Sequence, residues 1–217
     1  MLSAIDLDNK IVLVTSSVPG EGKTTFSINL AVAHSHTKKT LLIDADMRRP
    51  AVGKGLDLEP NSKGLSDLVA GTASLAECAK KVDGTDLHVI SAGTSVLQPL
   101  ELILSHRFKD TIDFLSKEYE IIIIDSPPVE LVSDALVLSK MATGVVYVVK
   151  ALDTPYQLAR KGLMRLRRSE GKILGVVLNH LDFKKAEKYY GEYSGYGKYG
   201  YDKYGYGEGY GAKVEKA

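Results

Sequence analysis

Three short stretches of this chain carry residues whose types and spacing suit phosphate chemistry. The first, SSVPGEGKTTF (16–26), closes a glycine turn with Gly22-Lys23-Thr24. Backbone N–H groups in such a turn point at phosphate oxygens, and a helix that starts there adds its positive end. Gly20, Glu21, Gly22, Lys23, Thr24 and Thr25 are therefore candidate nucleotide contacts. Lys23 is placed to reach the outer phosphates, and the Thr24 hydroxyl to ligate Mg²⁺. One departure from the P-loop pattern is Ser17, where the first glycine usually stands.

The second stretch, IIIIDSPP (121–128), ends a β-branched apolar run at Asp125. A P-loop fold supplies its metal-holding acid from such a strand end; a turn former before Ser-Pro-Pro is the plainer role. The third, LLIDADMRRP (41–50), sets Asp44 and Asp46 two residues apart, on one face if the chain stays extended. Like charges that close raise each other's pKa unless a cation lies between them, which makes Mg²⁺ the economical partner of the pair. Phosphate binding needs only Lys23, Thr24 and Asp125. The extra pair suggests a second task, taking a proton from an incoming hydroxyl or orienting it. Arg48 and Arg49 follow directly, suited to a phosphate, an acidic neighbour or a solvated basic turn.

The elements that must hold these residues alternate. Runs 10–16, 40–46, 87–91, 120–125, 144–150 and 172–179 read as strands, several apolar on both faces as strands covered by helices must be. Helical patterns occupy 23–36, 99–117, 131–140 and 155–169, while 48–80 is less regular, with GLSDLVAG and SLAECAKKV read as short helices at the sheet edge. Strand–helix alternation implies an α/β fold with a mostly parallel sheet and helices on both faces. All parallel strands end at one edge, so topology brings Asp44, Asp46 and Asp125 to the glycine turn. The last strand, 172–179, should run parallel to the first and emerge at that same edge.

Composition narrows the function. At 217 residues with 44% hydrophobic content, one folded domain (1–183) plus an appendage (184–217) is expected. A net charge of +1 gives no reason to expect a nucleic-acid partner. The single cysteine, Cys78, excludes an internal disulfide framework. His34 and His36 are the only histidines with ligand-like spacing, and a solvated helix end explains them better than a metal. Neither a membrane-spanning run nor a signal-peptide pattern is present. The basic stretch 160–172 reads as a solvated helix face, with anionic lipid or an adaptor as the alternative.

The ordered set SVPGEGKTT, LLIDADMRRP and IIIIDSPPV, with GLSDLVAG, ISAG, PLELILSHRF and VSDALVLSK between and after, resembles the bacterial tyrosine kinases of capsule and exopolysaccharide synthesis. The resemblance spans residues 10–182 and implies a P-loop NTPase-type kinase fold binding ATP and Mg²⁺ at Lys23, Thr24, Asp44, Asp46 and Asp125. Lys23, Asp44 and Asp46 become catalytic candidates, with either aspartate of the pair as base, and Asn179 an adenine contact by analogy. Related partition-type ATPases carry a second lysine where this chain has Val18. A nucleotide-dependent scaffold or switch of that kind is nevertheless the alternative to a kinase. Kinases of this family also carry a Glu-x-x-Arg-x-x-Arg helix that helps subunits form a ring. MLSAIDLDNK has no such pattern, which leaves homo-oligomerisation open. The expected setting is the cytoplasmic face of the bacterial membrane, beside a membrane-anchored polysaccharide co-polymerase segment or adaptor.

The C-terminal stretch completes the resemblance. Nine of the 12 tyrosines lie within it: Tyr189, Tyr190, Tyr193, Tyr196, Tyr199, Tyr201, Tyr204, Tyr206 and Tyr210. Eight glycines between 191 and 211 raise the entropy cost of ordering, so disorder is expected. A flexible segment of about 20 residues reaches roughly 25 Å, enough for its own site or a neighbour's. These tyrosines are the expected phosphoacceptors, beside other protein tyrosine substrates. A plain low-complexity linker and a stacking surface for single-stranded nucleic acid are the competing readings.

Overall fold

A computed structural model describes residues 10–58 and 62–182. The nine tyrosines and the N-terminal segment expected to bear on ring assembly lie outside the described residues, as does the proposed boundary at 183/184. Contacts divide the chain after His180, and every described strand and helix belongs to the first unit.

Continuous apolar runs buried on both faces build the sheet. The strands are β1 (Ile11–Ser16), β2 (Thr40–Asp44), β3 (Ala79–Lys81), β4 (Leu87–Ile90), β5 (Ile121–Asp125), β6 (Gly144–Lys150) and β7 (Ile173–Asn179), in the order β3-β4-β2-β5-β1-β6-β7. All pairs are parallel except β3 with β4. Leu13, Leu41, Ile43, Ile122, Ile124 and Tyr147 face one core layer; Val12, Val14, Leu42, Ile123 and Val148 face the other. Such two-sided burial is what the all-apolar strands require. The first layer is closed by α6 (His106–Glu118), whose Phe108, Ile112 and Leu115 recur at helical spacing, and by Leu166 of α8 (Tyr156–Arg168). The second is closed by α1 (Lys23–Ser35) and α2 (Val52–Gly55).

Three differences from the sequence reading have local causes. Strand β2 stops at Asp44 rather than 46, because the Asp44 carboxylate accepts hydrogen bonds from the backbone N–H groups of Asp46, Ala51 and Val52 and bends the chain around itself. The helix expected over 99–117 is two, α5 (Pro99–Leu104) and α6, broken at Ser105, whose backbone is extended and whose hydroxyl accepts from Phe108 N–H. Within 48–80 the two short helices form as expected, α3 (Leu65–Ala70) and α4 (Leu75–Cys78), but the antiparallel edge strand β3 was not expected. The remaining helix, α7 (Asp134–Met141), follows β5.

Candidate active site

The glycine turn owes its shape to two residues only glycine suits. Gly20 and Gly22 have φ of 83° and 87°, and a Cβ on Gly22 would stand 2.1 Å from Asn179 Nδ2. The turn is then tied down from inside. Buried Glu21 accepts a 2.7 Å bond from Val18 N–H with one oxygen and bonds from Thr154 and the Lys150 N–H with the other. Asn179, at the end of β7, donates to the Glu21 carbonyl at 2.9 Å. Glu21 and Asn179 therefore hold the loop, whereas Gly20, Gly22, Lys23, Thr24 and Thr25 line the cleft it faces, of about 350 Å³. Helix α1 begins at Lys23 with no side-chain cap and no acid in its first turn, which suits an anion at its N-terminus.

Strand register delivers the acids. Asp44 and Asp125 are direct partners across β2 and β5, both fully buried. Asp125 accepts from Thr24 Oγ1 at 2.7 Å and from Ser27 Oγ at 3.0 Å. Burial pushes its carboxyl up, against Lys23 and the two hydroxyls that hold it down. Burial likewise pushes Asp44 up to about 7, opposed by its three N–H donors and reinforced by Asp125. The Asp46 side chain instead lines the cleft and pairs with Lys23 Nζ at 3.2 Å. The Asp44/Asp46 pair is thus split: Asp44 is spent on the backbone of its own loop, whereas Asp46 accepts there only from Arg49 N–H with one oxygen and presents the other to Lys23.

Lys23 Nζ also lies 3.3 Å from Thr24 Oγ1 and 3.8 Å from Asp125 Oδ2. Three oxygens gathered about one cation are the hard-donor set Mg²⁺ takes, with substrate phosphates completing its shell. Thr24, Asp46 and Asp125 could supply such donors, although among the described residues no three His, Cys, Asp or Glu side chains gather as a metal cage. Arg48 lines the cleft but spends its guanidinium on an acidic neighbour, Asp134 at the start of α7, at 3.0 and 3.3 Å. The same cleft has an apolar wall of Pro127, Pro128, Leu131 and Val132, with Leu131 59% exposed. Sequence reasoning missed that wall, Asp134 and Ser27, although Ser27 lies one turn beyond Lys23 on the same face of α1.

Residues 9–175 match the family model of the AAA domain. The chain is 35% identical over 188 residues to the tyrosine-protein kinase YwqD of Bacillus subtilis, covering 86% of this chain and 79% of that protein. It is 33% identical over 192 residues to the tyrosine-protein kinase CpsD of Streptococcus pneumoniae, covering 88% and 84% respectively. Among solved structures, the VpsO kinase domain superposes with a TM-score of 0.80 at 36% identity, over 83% of this chain and 89% of that one.

Proposed function

The chain belongs to the family of bacterial tyrosine-protein kinases built on an AAA domain, and from that premise we propose that it transfers the γ-phosphoryl group of ATP to tyrosines of its own C-terminal cluster. The observation that carries this reading is the gathering of Lys23, Thr24, Asp46 and Asp125 at the ends of β1, β2 and β5, beside an apolar wall that suits a phenyl ring.

Each residue has a task that follows from its position. Amides of the Gly20–Thr25 turn and of the first turn of α1 hold the phosphates. Lys23 offsets charge on the outer phosphate oxygens, and Thr24, Asp46 and Asp125 supply the donors for Mg²⁺. When bound, the metal adds positive charge beside the transferring group. The acceptor ring lies on Pro127, Pro128 and Leu131, with its hydroxyl toward Asp46. The phenolic oxygen forms a bond to the γ-phosphorus as the bond to the β–γ bridging oxygen breaks. ADP leaves, and the phenolic proton passes to the Asp46 carboxylate. A loose transition state of this kind needs positioning and charge more than a strong base, which suits an acceptor of pKa about 10. Asp44 shapes the loop that presents Asp46.

Modification also regulates. Each phosphate adds about −1.5 to −2 charges, so nine would add on the order of −14 to −18 to residues 189–217, whose four lysines and four acids otherwise balance. Such a segment leaves an acidic site and pushes subunits apart. We infer transfer between subunits, a membrane-anchored partner at the cytoplasmic face, and a role in capsule or exopolysaccharide export. Among the described residues no helix is long and apolar enough to cross a membrane.

Mass spectrometry after incubation with Mg-ATP tests the proposal. Phosphotyrosine within 189–210, absent from Lys23→Met, is the expected result. Phosphate released into solution with every tyrosine unmodified would leave the nucleotide-dependent switch as the better reading.

A further inference from the structure

The Ser17 side chain is fully buried, and its hydroxyl accepts a 3.0 Å hydrogen bond from the phenol of Tyr147, 130 residues further along the chain. Tyr147 occupies the middle of β6 and is itself fully buried. Burial pushes its phenol up to about 12, so it stays a donor across the physiological range.

Room for that hydroxyl is made by α8. A Cβ on Gly162 would stand 2.0 Å from Tyr147 Oη and 2.8 Å from Val129 Cγ2. The backbone of Ser17 is held too: Val129 N–H donates to the Ser16 carbonyl at 2.9 Å and Glu130 N–H to the Ser17 carbonyl at 3.3 Å. Arg165 of α8 grips the same turn, donating to the Val129 carbonyl and pairing with Glu130. Entry into the phosphate turn is thus fastened on both sides by groups from the later half of the chain. A glycine at 17 would forfeit the side-chain half of that fastening.

Phenylalanine would fill the same core space, so packing alone does not explain the hydroxyl. Polar atoms persist in a core where they find a partner, and here the partner begins the phosphate loop. We propose that Tyr147 is a positioning residue for nucleotide binding, its phenol fixing Ser17 and with it the path of the chain into the Val18–Gly22 turn that presents Lys23. The inference rests on the turn being a nucleotide site and does not depend on tyrosine being the acceptor.

Steady-state kinetics and melting of Tyr147→Phe, Ser17→Ala and the double variant test it. Losing one neutral hydrogen bond is expected to raise KM for ATP about fivefold, with a smaller change in kcat at saturating ATP and none in KM for a tyrosine peptide. The double variant should be no worse than either single one, because both remove the same bond. An unchanged KM for ATP in a folded Tyr147→Phe or Ser17→Ala protein, with only the melting temperature lowered, would show plain core packing and overturn the inference. So would effects that multiply in the double variant. Ser17→Ala leaves the aromatic core intact and decides the matter if Tyr147→Phe does not fold. Failure of the wild-type chain to bind Mg-ATP would instead defeat the nucleotide reading itself.

Discussion

Replacing Asp46 by asparagine separates catalysis from binding. Its carboxylate stands 3.2 Å from Lys23 Nζ, with side chains only 6% and 12% exposed. Two unit charges about 4 Å apart interact by roughly 4 kcal/mol at an effective dielectric of 20 and about 1 kcal/mol in water, so the pair is a strong local restraint on Lys23. Asparagine releases the lysine and removes a negative charge that opposes phosphate, so affinity for metal-free nucleotide should hold or tighten, by up to about tenfold if some 1.4 kcal/mol of the repulsion is relieved, while more Mg²⁺ is needed for saturation because one of its donors has lost its charge. Loss of the proton acceptor should lower kcat by about 100-fold, the low end for general bases because the transition state is loose. Phosphotyrosine formation followed at saturating Mg-ATP, beside titration with a fluorescent nucleotide, measures both. The opposite pattern, kcat kept within threefold in Asp46→Asn but lost in Asp44→Asn, would refute the division of labour between the two aspartates.

Three further outcomes derive from the geometry. Folded Asp44 holds its proton to about pH 7, whereas its ordinary value is 3.8; the folded state binds more protons in that window, so stability falls as pH rises through it, by up to roughly 4 kcal/mol. Urea melts in metal-free buffer should show Asp44→Asn with a flatter profile between pH 4 and 8, and parallel profiles would deny Asp44 the role. Gly22→Ala places a Cβ 2.1 Å from Asn179 Nδ2 at a φ of 87°, and calorimetric titration should find ATP affinity lowered more than about tenfold in a protein that still folds; unchanged affinity would show that the turn tolerates movement. Leu131→Ser should raise KM for a tyrosine peptide about three- to tenfold while nucleotide affinity changes less than twofold, since it removes apolar contact from the acceptor side alone; an unaltered peptide KM would place the acceptor elsewhere.

What was legible in the sequence is what depends on local pattern and strand-end topology. The apolar runs announced the parallel strands because two-sided burial leaves few polar positions in them, mostly at their ends, and Gly22-Lys23-Thr24 announced its turn because glycine φ angles and a helix start are local properties. Asp125 reached Thr24 as parallel-strand topology requires. The fates of Asp44 and Asp46 were not legible, since a spacing of two says nothing about where the strand stops; three N–H groups of the following loop decide that. Glu21 looked like a phosphate contact, but its partners, Thr154 and Lys150, are more than 125 residues away. Edge strand β3 hid in AKK, a segment too short to show alternation. Tyr147 read as one more core residue of β6, and only the fold reveals that its hydroxyl meets Ser17.

The most direct test is a crystal structure with Mg²⁺, a non-hydrolysable ATP analogue and a tyrosine from the 189–210 segment in the cleft. The expected result is the Asp46 carboxylate about 3 Å from the phenolic oxygen, with Asp44 still bonded to the Ala51 and Val52 amides. A γ-phosphate from which both carboxylates are turned away, or an acceptor facing Asp44 instead, would contradict it.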